Sequence, residues 1–337
     1  MPGAIVIAGR ESREESSTRS NFPLSTKPRR RFLAGVELLG QSVFGRLVQK
    51  LEDAAFDHLS IFVESSLAPD FDDAVSDVDG YATTDVWRGA ERSLIEAREA
   101  GIDCVLLVRA GAYVEFDPSD LIQLHRESGN FITRACDEHG PLDLWAIHPD
   151  IVDESRILSA TLYGAGEPYY RVPGYVNRLQ NLRDLRLLVA DGLSSRCGFR
   201  PRGFEVRPGV WMAHGADVGR GARVVAPAFV GSDAKVSEQC LITRCSNIER
   251  NCKIDYGTVV EDSSVLTGTY MGIGLDLCHS IADGNCLLNL NREVMLQIED
   301  PVVMRQMRNN KPRAEGYRQL PSNFRRGEAV LSVADNS

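Results

Sequence analysis

The stretch VSEQCLITRCSNIERNCKIDYGTVVEDSSV, residues 236–265, carries an aliphatic side chain at every sixth position. A half-buried strand repeats every two residues and an amphipathic helix about every 3.6, so neither pattern produces this spacing. The same register extends beyond the quoted stretch in both directions. Its members are Val206, Met212, Val218, Val224, Val230, Val236, Ile242, Ile248, Ile254, Val260 and Leu266.

The residue four positions after each aliphatic anchor is usually small, as at Ala228, Ala234, Cys240 and Cys252. This pattern suits a chain that forms a short strand, turns a corner and then repeats the unit. The large side chain would lie in the interior of the coil, and the small one where little space is left between neighbouring strands. Hexapeptide periodicity is a signature of the parallel β-helix, whose stacked coils share one core, and this run predicts about three to four coils. The alternative, a β-sandwich, would require turn signals about 8–12 residues apart.

Length and composition limit the class of protein. The chain of 337 residues is long enough for two domains, and the repeat occupies only its last third. The net charge of −9 gives no reason to expect nucleic-acid binding. There is no 18-residue apolar stretch, and the apolar run 4–8 is short for a signal peptide, so we expect a cytoplasmic protein without a membrane span. The eight cysteines show no zinc-like spacing, so no metal site is predicted from them.

The first two thirds of the chain alternate predicted strands with predicted helices. Such alternation is typical of an open, mainly parallel α/β sheet. Ligands of such sheets bind at the carboxyl ends of the strands, so the loop 8–28 after the first strand is the first candidate site. The predicted strands are 4–8, 58–64, 103–110, 130–136 and 141–147, and the predicted helices are 42–56, 85–101, 117–129 and 182–193.

This loop carries several short matches to a known motif, L-A-G-G-x-G-T-R-L-x-P-L-T-x-x-x-P-K-P. The matching pairs are Ala8-Gly9, Thr18-Arg19, Pro23-Leu24 and Lys27-Pro28. Together with the order of the two domains, these matches resemble the sugar-1-phosphate nucleotidyltransferases, also called nucleotide-sugar pyrophosphorylases. The resemblance implies a nucleotidyltransferase-like α/β domain of Rossmann-like, GT-A type over 1–195. It also implies a left-handed parallel β-helix over 204–285. After Asn285 the chain loses the periodicity and becomes basic, so we expect a capping segment and then a disordered tail over 286–337.

The family's reaction joins a sugar phosphate to the α-phosphate of a nucleoside triphosphate, and pyrophosphate leaves. Such chemistry depends on Mg²⁺, basic side chains and backbone N–H donors that neutralise phosphate charge. The resemblance therefore implies a nucleotide or sugar phosphate as ligand, and Mg²⁺ as cofactor if the chain is active. It implies catalytic roles for Lys27 and Arg19 and substrate contacts for Ala8, Gly9, Thr18, Glu115 and Asp117. A solvated basic loop is the alternative interpretation of Arg19 and Lys27.

The chain departs from the family pattern at the positions that carry this chemistry. Arg10 follows Gly9 where further glycines are expected, and the two metal-binding aspartates align with Gly111 and with Arg178 or its neighbour Asn177. Neither a glycine nor an arginine side chain offers Mg²⁺ the oxygen ligand it needs. We therefore predict impaired or absent turnover, with a role in sugar-nucleotide binding or as a structural or regulatory partner in polysaccharide biosynthesis. The alternative is an active enzyme with relocated metal ligands, for which Glu115 and Asp117 are the candidates.

The β-helix itself suggests a rival function. Many hexapeptide-repeat proteins are acyltransferases that use a histidine as general base, and His214 and His279 lie in or just after the repeat. A cleft between coils lined by either histidine would favour that function. By analogy with the family, we also expect a homo-oligomer assembled through the β-helix.

Overall fold

A computed structural model describes residues 2–9, 32–54, 56, 58–67, 80–83, 85–152, 157–166, 169–299 and 305. Most of the predicted loop 8–28 lies outside these ranges, as does nearly all of the tail after Glu299. Within them, no helix is long and apolar enough to cross a membrane.

The part of the chain before residue 196 contains eleven strands and five α-helices within the described ranges, besides the short 3-10 helices Leu33–Gly35 and Pro149–Ile151. In chain order they are β1 Gly3–Ala8, β2 Glu37–Leu38, β3 Gln41–Ser42, α1 Val43–Asp53, β4 His58–Glu64, β5 Gly80–Thr83, α2 Val86–Glu99, β6 Val105–Arg109, β7 Tyr113–Val114, α3 Pro118–Ser128, β8 Ile132–Asp137, β9 Gly140–Ile147, α4 Leu158–Gly164, β10 Tyr169–Arg171, β11 Val176–Asn177 and α5 Leu182–Leu193.

Seven of these strands form one sheet in the order β5-β4-β1-β6-β9-β8-β10. β1 runs parallel to both β4 and β6, whereas β9 runs antiparallel to both of its neighbours. The predicted open α/β sheet is therefore present, with one reversed strand. From β1 the chain builds outward through β4 and β5, and then crosses to β6 on the other side of β1. The switch point, where ligands bind in such sheets, thus lies between the carboxyl ends of β1 and β6.

Side-chain caps fix the starts of four of the described helices. Ser42, Asp85, Asp117 and Asn181 each accept a hydrogen bond from a backbone N–H in the first turn of α1, α2, α3 and α5. These polar oxygens satisfy N–H groups that have no partner within the helix. α3 ends at Gly129, whose φ of 64° is the left-handed conformation that glycine adopts without strain. The caps explain why the predicted helix boundaries lie close to the observed ones.

Sixteen further strands lie between Phe204 and Gln297, and most of them stack in register. They are β12 Phe204–Arg207, β13 Val210–Met212, β14 Asp217–Val218, β15 Arg223–Val224, β16 Ala228–Val230, β17 Lys235–Val236, β18 Leu241–Thr243, β19 Ser246–Ile248, β20 Lys253–Ile254, β21 Val259–Glu261, β22 Ser264–Val265, β23 Tyr270–Met271, β24 Asp276–Cys278, β25 Ser280–Asp283, β26 Cys286–Asn289 and β27 Val294–Gln297.

These strands form three sheets that the chain visits in turn. The long sheet runs β12-β13-β16-β19-β22-β25-β26-β27, and the two shorter ones are β14-β17-β20-β23 and β15-β18-β21-β24. Neighbours in the shorter sheets are all parallel; Val218, Val236 and Ile254, for example, lie one above the other. Such parallel stacks are consistent with a β-helix, in which each coil contributes one strand to each wall.

The aliphatic anchors fill the interior as predicted from Val224 to Val260, where every one of them is buried. The register differs from the prediction at both ends. Val206 is 51% exposed, because β12 pairs antiparallel with β13 and is not part of a parallel coil. Ile248 pairs with Val265, seventeen residues further on, so Val265 and not Leu266 lies in the interior. That coil is therefore one residue shorter than the coil before it, and Leu266 packs on its outside.

The outer face of the long sheet packs against the α/β part. Leu185 and Leu188 of α5 share a buried apolar cluster with Phe229, Leu266 and Ile281, which point outward from the coils. This contact covers a wall that would otherwise expose large apolar side chains, and it fixes the β-helix against the end of the α/β part.

Candidate functional site

A partly buried arginine spans the switch point of the sheet. Arg109, the last residue of β6, donates from Nη2 to the carbonyl oxygen of Gly9, which directly follows β1, at 3.1 Å. Its Nη1 donates to Asp143 Oδ2 at 3.0 Å and to the hydroxyl of Tyr163 at 3.3 Å. The Arg109 side chain is only 11% exposed. The carboxyl ends of the two central strands are therefore joined by a fixed guanidinium group.

A second arginine shares the same carboxylate. Arg134 Nη2 donates to Asp143 Oδ1 at 3.3 Å, and its guanidinium lies 5.2 Å from the ring centroids of both Trp145 and Tyr163. Burial, together with the adjacent Asp143, raises the pKa of Tyr163 to about 12, so the phenol stays neutral. We call Arg109, Arg134, Asp143 and Tyr163 the arginine cluster. It carries two positive charges against one negative charge.

Gly9 lies in a narrow gap beside this cluster. A Cβ atom at Gly9 would lie 3.0 Å from Cγ2 of Val86, the first residue of α2, and 3.5 Å from Oε2 of Glu64. The absence of a side chain thus lets the backbone pass close to the start of α2. Ala8, the residue before it, is fully buried at the end of β1. Of the predicted phosphate contacts, Ala8 and Gly9 therefore lie at the switch point, whereas Thr18, Arg19 and Lys27 lie outside the described residues.

The two segments aligned with the metal aspartates lie side by side. β7 and β11 pair antiparallel, with Tyr113 opposite Asn177, so the residues just before β7 and just after β11 lie at the same end of this ribbon. Arg178 donates to Asp137 Oδ2 from Nε at 3.0 Å and to the Gly140 carbonyl from Nη2 at 2.8 Å. Arg178 also lowers the pKa of Asp137, the carboxylate it contacts.

Mg²⁺ does not fit these segments. Asn177 is buried and both polar atoms of its side chain bond within the protein, since its Nδ2 donates to the Asp184 carbonyl and its Oδ1 accepts from the Leu179 N–H. Gly111 has no side chain, although a Cβ there would meet nothing within 4 Å. Across the part of the chain that the structure describes, no three His, Cys, Asp or Glu side chains are grouped to hold a metal ion. A hard cation would find one carboxylate here, Asp137, already paired with Arg178.

The carboxylates of Glu115 and Asp117 accept hydrogen bonds from other groups of the protein. Asp117 caps α3 by accepting from the Ser119 N–H at 2.9 Å. Glu115 accepts from the Tyr113 hydroxyl at 3.0 Å and from the Gly198 N–H, which ties the loop after β7 to the segment after α5. The carboxylates suggested as relocated metal ligands thus have structural partners. Lys50 donates to the Phe116 carbonyl in the same loop, and burial lowers its pKa against the opposing effect of the two carboxylates.

The two histidines of the repeat have different surroundings. His214 lies exposed at a corner of the first coil. His279 is 41% exposed, and its Nδ1 lies 2.6 Å from Asp262 Oδ2. Asp262 in turn accepts from Arg186 Nη2 at 2.7 Å. An imidazole oriented in this way keeps its Nε2 available to accept a proton.

Two sequence comparisons found no match. No protein-family profile matches the chain, and no curated protein matches it in sequence. The site must therefore be interpreted from its own chemistry. It offers the guanidinium groups of the partly buried Arg109 and the buried Arg134 at the carboxyl edge of the sheet and, among the described residues, no grouped metal ligands.

Sequence reasoning missed the arginine cluster. The sequence did contain one indication, Arg109, which is the charged residue at the end of the apolar strand VLLVR. A charged residue at the carboxyl end of a buried strand lies at the edge of the sheet where ligands bind. Arg134 and Tyr163 gave no comparable signal, since their approach to Asp143 depends on the packing of β8 and α4 against β9.

Proposed function

We propose that this chain binds a phosphate-bearing ligand of the nucleotide or sugar-phosphate class at the switch point, without Mg²⁺ and without nucleotidyl transfer. The observation that carries the proposal is the replacement of both expected metal carboxylates by Gly111 and by Arg178, the latter paired with Asp137. With Arg178 paired to Asp137, these two positions offer a metal ion no free carboxylate, and the net positive charge at this edge of the sheet comes from Arg109 and Arg134. The proposal includes the finer fold assignment, a nucleotidyltransferase-like domain followed by a left-handed β-helix, and a cytoplasmic homo-oligomer.

The arginine cluster supports the choice of ligand class. Arg109 and Arg134 are held by Asp143 and by aromatic rings, so little side-chain entropy remains to be lost on binding. Guanidinium groups match the geometry of phosphate oxygens, and a low-dielectric setting strengthens the attraction.

The direct test is ligand binding by calorimetry with and without metal. We would titrate nucleoside diphosphate sugars, nucleoside triphosphates and sugar 1-phosphates in Mg²⁺ and in EDTA. One ligand class should bind with a Kd that changes less than about twofold between the two buffers, and no pair should release pyrophosphate. Arg109→Met should weaken that binding by at least about tenfold, which corresponds to the loss of one charge-assisted contact. Arg126→Met is the matched control, since Arg126 pairs with Asp103 before the amino end of β6 and should leave the Kd unchanged.

Two results would contradict the proposal. Pyrophosphate release that requires Mg²⁺ would mean that the metal ligands have been relocated and that the chain is an active nucleotidyltransferase. Equal loss of binding in Arg109→Met and Arg126→Met would mean that the ligand lies elsewhere or that binding follows overall charge.

Acyl transfer is the second candidate, favoured by the pairing of His279 with Asp262. Nε2 of His279 would accept the proton of a hydroxyl or amine as that group attacks an acyl thioester, and the thiol would leave with a proton. The test is thiol release from a panel of acyl thioesters with sugar or amine acceptors. His279→Asn should abolish release and His214→Asn should preserve it. Release unaffected by His279→Asn would eliminate this function.

A further inference from the structure

The long sheet of the β-helix ends at β27, and no other described strand pairs with its outer edge. The Ile298 N–H, just after β27, donates to the Asn285 carbonyl, just before β26, at 2.7 Å. In an antiparallel pair, residues that bond to the neighbouring strand alternate with residues whose N–H and C=O point away from it. Ile298 and Leu296 therefore bond toward β26, whereas the backbone groups of Met295 and Gln297 point to the free edge.

The exposed side chains at this edge form an apolar row. Val294 is 44% exposed, Leu296 52% and Ile298 37%. Alternate residues of a strand point to the same face, so the three side chains lie side by side. Leu287, which is opposite Leu296, packs against the interior cluster of the coils, so the row continues the inner face of the long sheet. The two shorter sheets end at β23 and β24 and do not extend beside β27.

The two edges of the long sheet differ in their protection against pairing. Proteins block an edge strand with charged side chains, proline or a β-bulge. At the other end of the sheet, β12 carries the exposed charges of Glu205 and Arg207, has an irregular register between them and is followed by Pro208. From Val294 to Ile298, in contrast, there is neither a charged residue nor a proline. One edge is thus protected, and the edge at β27 is open to another strand.

We propose that β27 pairs with β27 of a second copy of this chain, antiparallel about a two-fold axis at Leu296, so that two long sheets join into one. This assigns a surface to the homo-oligomer of the proposed function and rests on that part of it alone, since the ligand site has no role here. A two-fold contact uses the same edge in both copies and leaves neither edge free. The assembly therefore stops at a dimer.

A register centred on Leu296 suits the backbone and the side chains together. Met295 of each copy lies opposite Gln297 of the other, and each such pair exchanges the hydrogen bonds that point to the free edge. On the apolar face, Leu296 meets Leu296, and Val294 meets Ile298. Apolar pairs directly opposite each other stabilise antiparallel strands. This is the two-fold register in which all three apolar side chains of the row meet one another.

The charges at the ends of the strand also fit this register. Glu299 follows Ile298 and so reaches the start of β27 in the other copy. There Arg183 Nη2 lies 2.7 Å from Glu293 Oε1, and the Arg183 side chain is about half exposed. Arg183 therefore offers an opposite charge to Glu299 of the second copy and offsets its repulsion from Glu293.

Analytical ultracentrifugation of the full chain tests the dimer. The wild type should sediment as a dimer. Leu296→Lys removes the central apolar contact and brings two ammonium groups together on the axis, so it should raise the Kd of the dimer by at least about tenfold. Val206→Lys on β12 is the matched control, since Val206 is 51% exposed, and it should leave that Kd unchanged within about twofold. Both exposed positions should tolerate lysine, which thermal unfolding would check.

Cysteine cross-linking tests the register. Across a non-hydrogen-bonded antiparallel pair the Cα atoms are about 4.5 Å apart, which a disulfide can span. Leu296→Cys should therefore give a covalent dimer on mild oxidation. Val294→Cys alone should not, because its two copies would lie about 14 Å apart along the strands. An equal mixture of Val294→Cys and Ile298→Cys should cross-link. The wild type, with its eight cysteines, is the control and should not cross-link.

Three results would overturn the proposal. The first is a wild type that stays monomeric as its concentration is raised, whether its edge is then unpaired or covered within one chain. The second is a dimer that Leu296→Lys and Val206→Lys affect equally, because the interface would then lie elsewhere. The third is a dimer that Val294→Cys cross-links and Leu296→Cys does not, which would exclude the register. None of these measurements involves phosphate binding, so a failure of the ligand proposal would be seen separately.

Discussion

The ion pair between Arg178 and Asp137 makes the sharpest energetic prediction. The guanidinium donates to both carboxylate oxygens and to the Gly140 carbonyl, while the Asp137 side chain is only 9% exposed and that of Arg178 is 26% exposed. Truncating Arg178 leaves the charge of the partly buried Asp137 without its partner, so Arg178→Met should lower the free energy of unfolding by about 2–3 kcal/mol, less than for a fully buried pair. Asp137→Asn should cost about 2 kcal/mol, because a charge-assisted bond becomes an ordinary one.

A double-mutant cycle separates the pair from its surroundings. Urea denaturation of the wild type, both single variants and the double variant at pH 7 should give a coupling energy of about 1.5–2 kcal/mol. The same cycle on Arg126 and Asp103 is the control, since both of those side chains are about half exposed and should couple by less than about 1 kcal/mol. If the two cycles give equal coupling, Arg178 does not neutralise Asp137, and the carboxylate would be open to a metal ion after all.

The remaining predictions concern the core, a glycine contact and pH. Ile254→Ala should cost about 2–5 kcal/mol in urea denaturation by opening a cavity inside the coils, whereas the exposed Val206→Ala should change stability by less than about 0.5 kcal/mol. Gly89→Ala would place a Cβ 2.5 Å from the Phe62 ring and should cost about 1–3 kcal/mol, part of which Phe62→Leu should recover. Burial raises the pKa of Glu249 to about 8, so wild-type stability should fall between about pH 4.5 and pH 8 by at most about 1.4 kcal/mol per pH unit, and Glu249→Gln should lack this component.

The six-residue repeat predicts most of the interior side chains of the coils but not the irregularities at its two ends. A spacing of six identifies the interior side chains from Val224 to Val260, because each wall of a coil must bury one large residue. The spacing cannot show that the coil ending at Val265 is one residue shorter than the coil before it. Leu266 is as aliphatic as Val265, and the two side chains differ only in the face of the sheet on which they lie. The spacing also cannot tell that β12 reverses direction, because Val206 keeps the spacing without joining a coil.

The α/β part shows a different limit. Strand–helix alternation predicts the sheet but not the direction of β9, although the two residues between β8 and β9 permit only an antiparallel hairpin. The site depends on contacts between distant parts of the chain. Arg109 reaches the Gly9 carbonyl 100 positions away, and no local pattern specifies such a pairing. Predicted roles for Glu115 and Asp117 rested on alignment. In the structure Asp117 accepts from the local Ser119 N–H, whereas Glu115 accepts from the Tyr113 hydroxyl and from the distant Gly198 N–H.

The reversal of strands at both ends of the long sheet has a consequence for assembly. β12 at one end and β26 and β27 at the other run antiparallel to their neighbours, so neither edge presents the parallel register that another coil would extend. A bare coil edge is a template on which further chains can add without limit, as in fibrils. The direction of three short strands thus closes both edges of the long sheet to parallel extension, and a chain truncated after Asp283 should expose the edge of β25 to pairing with another chain.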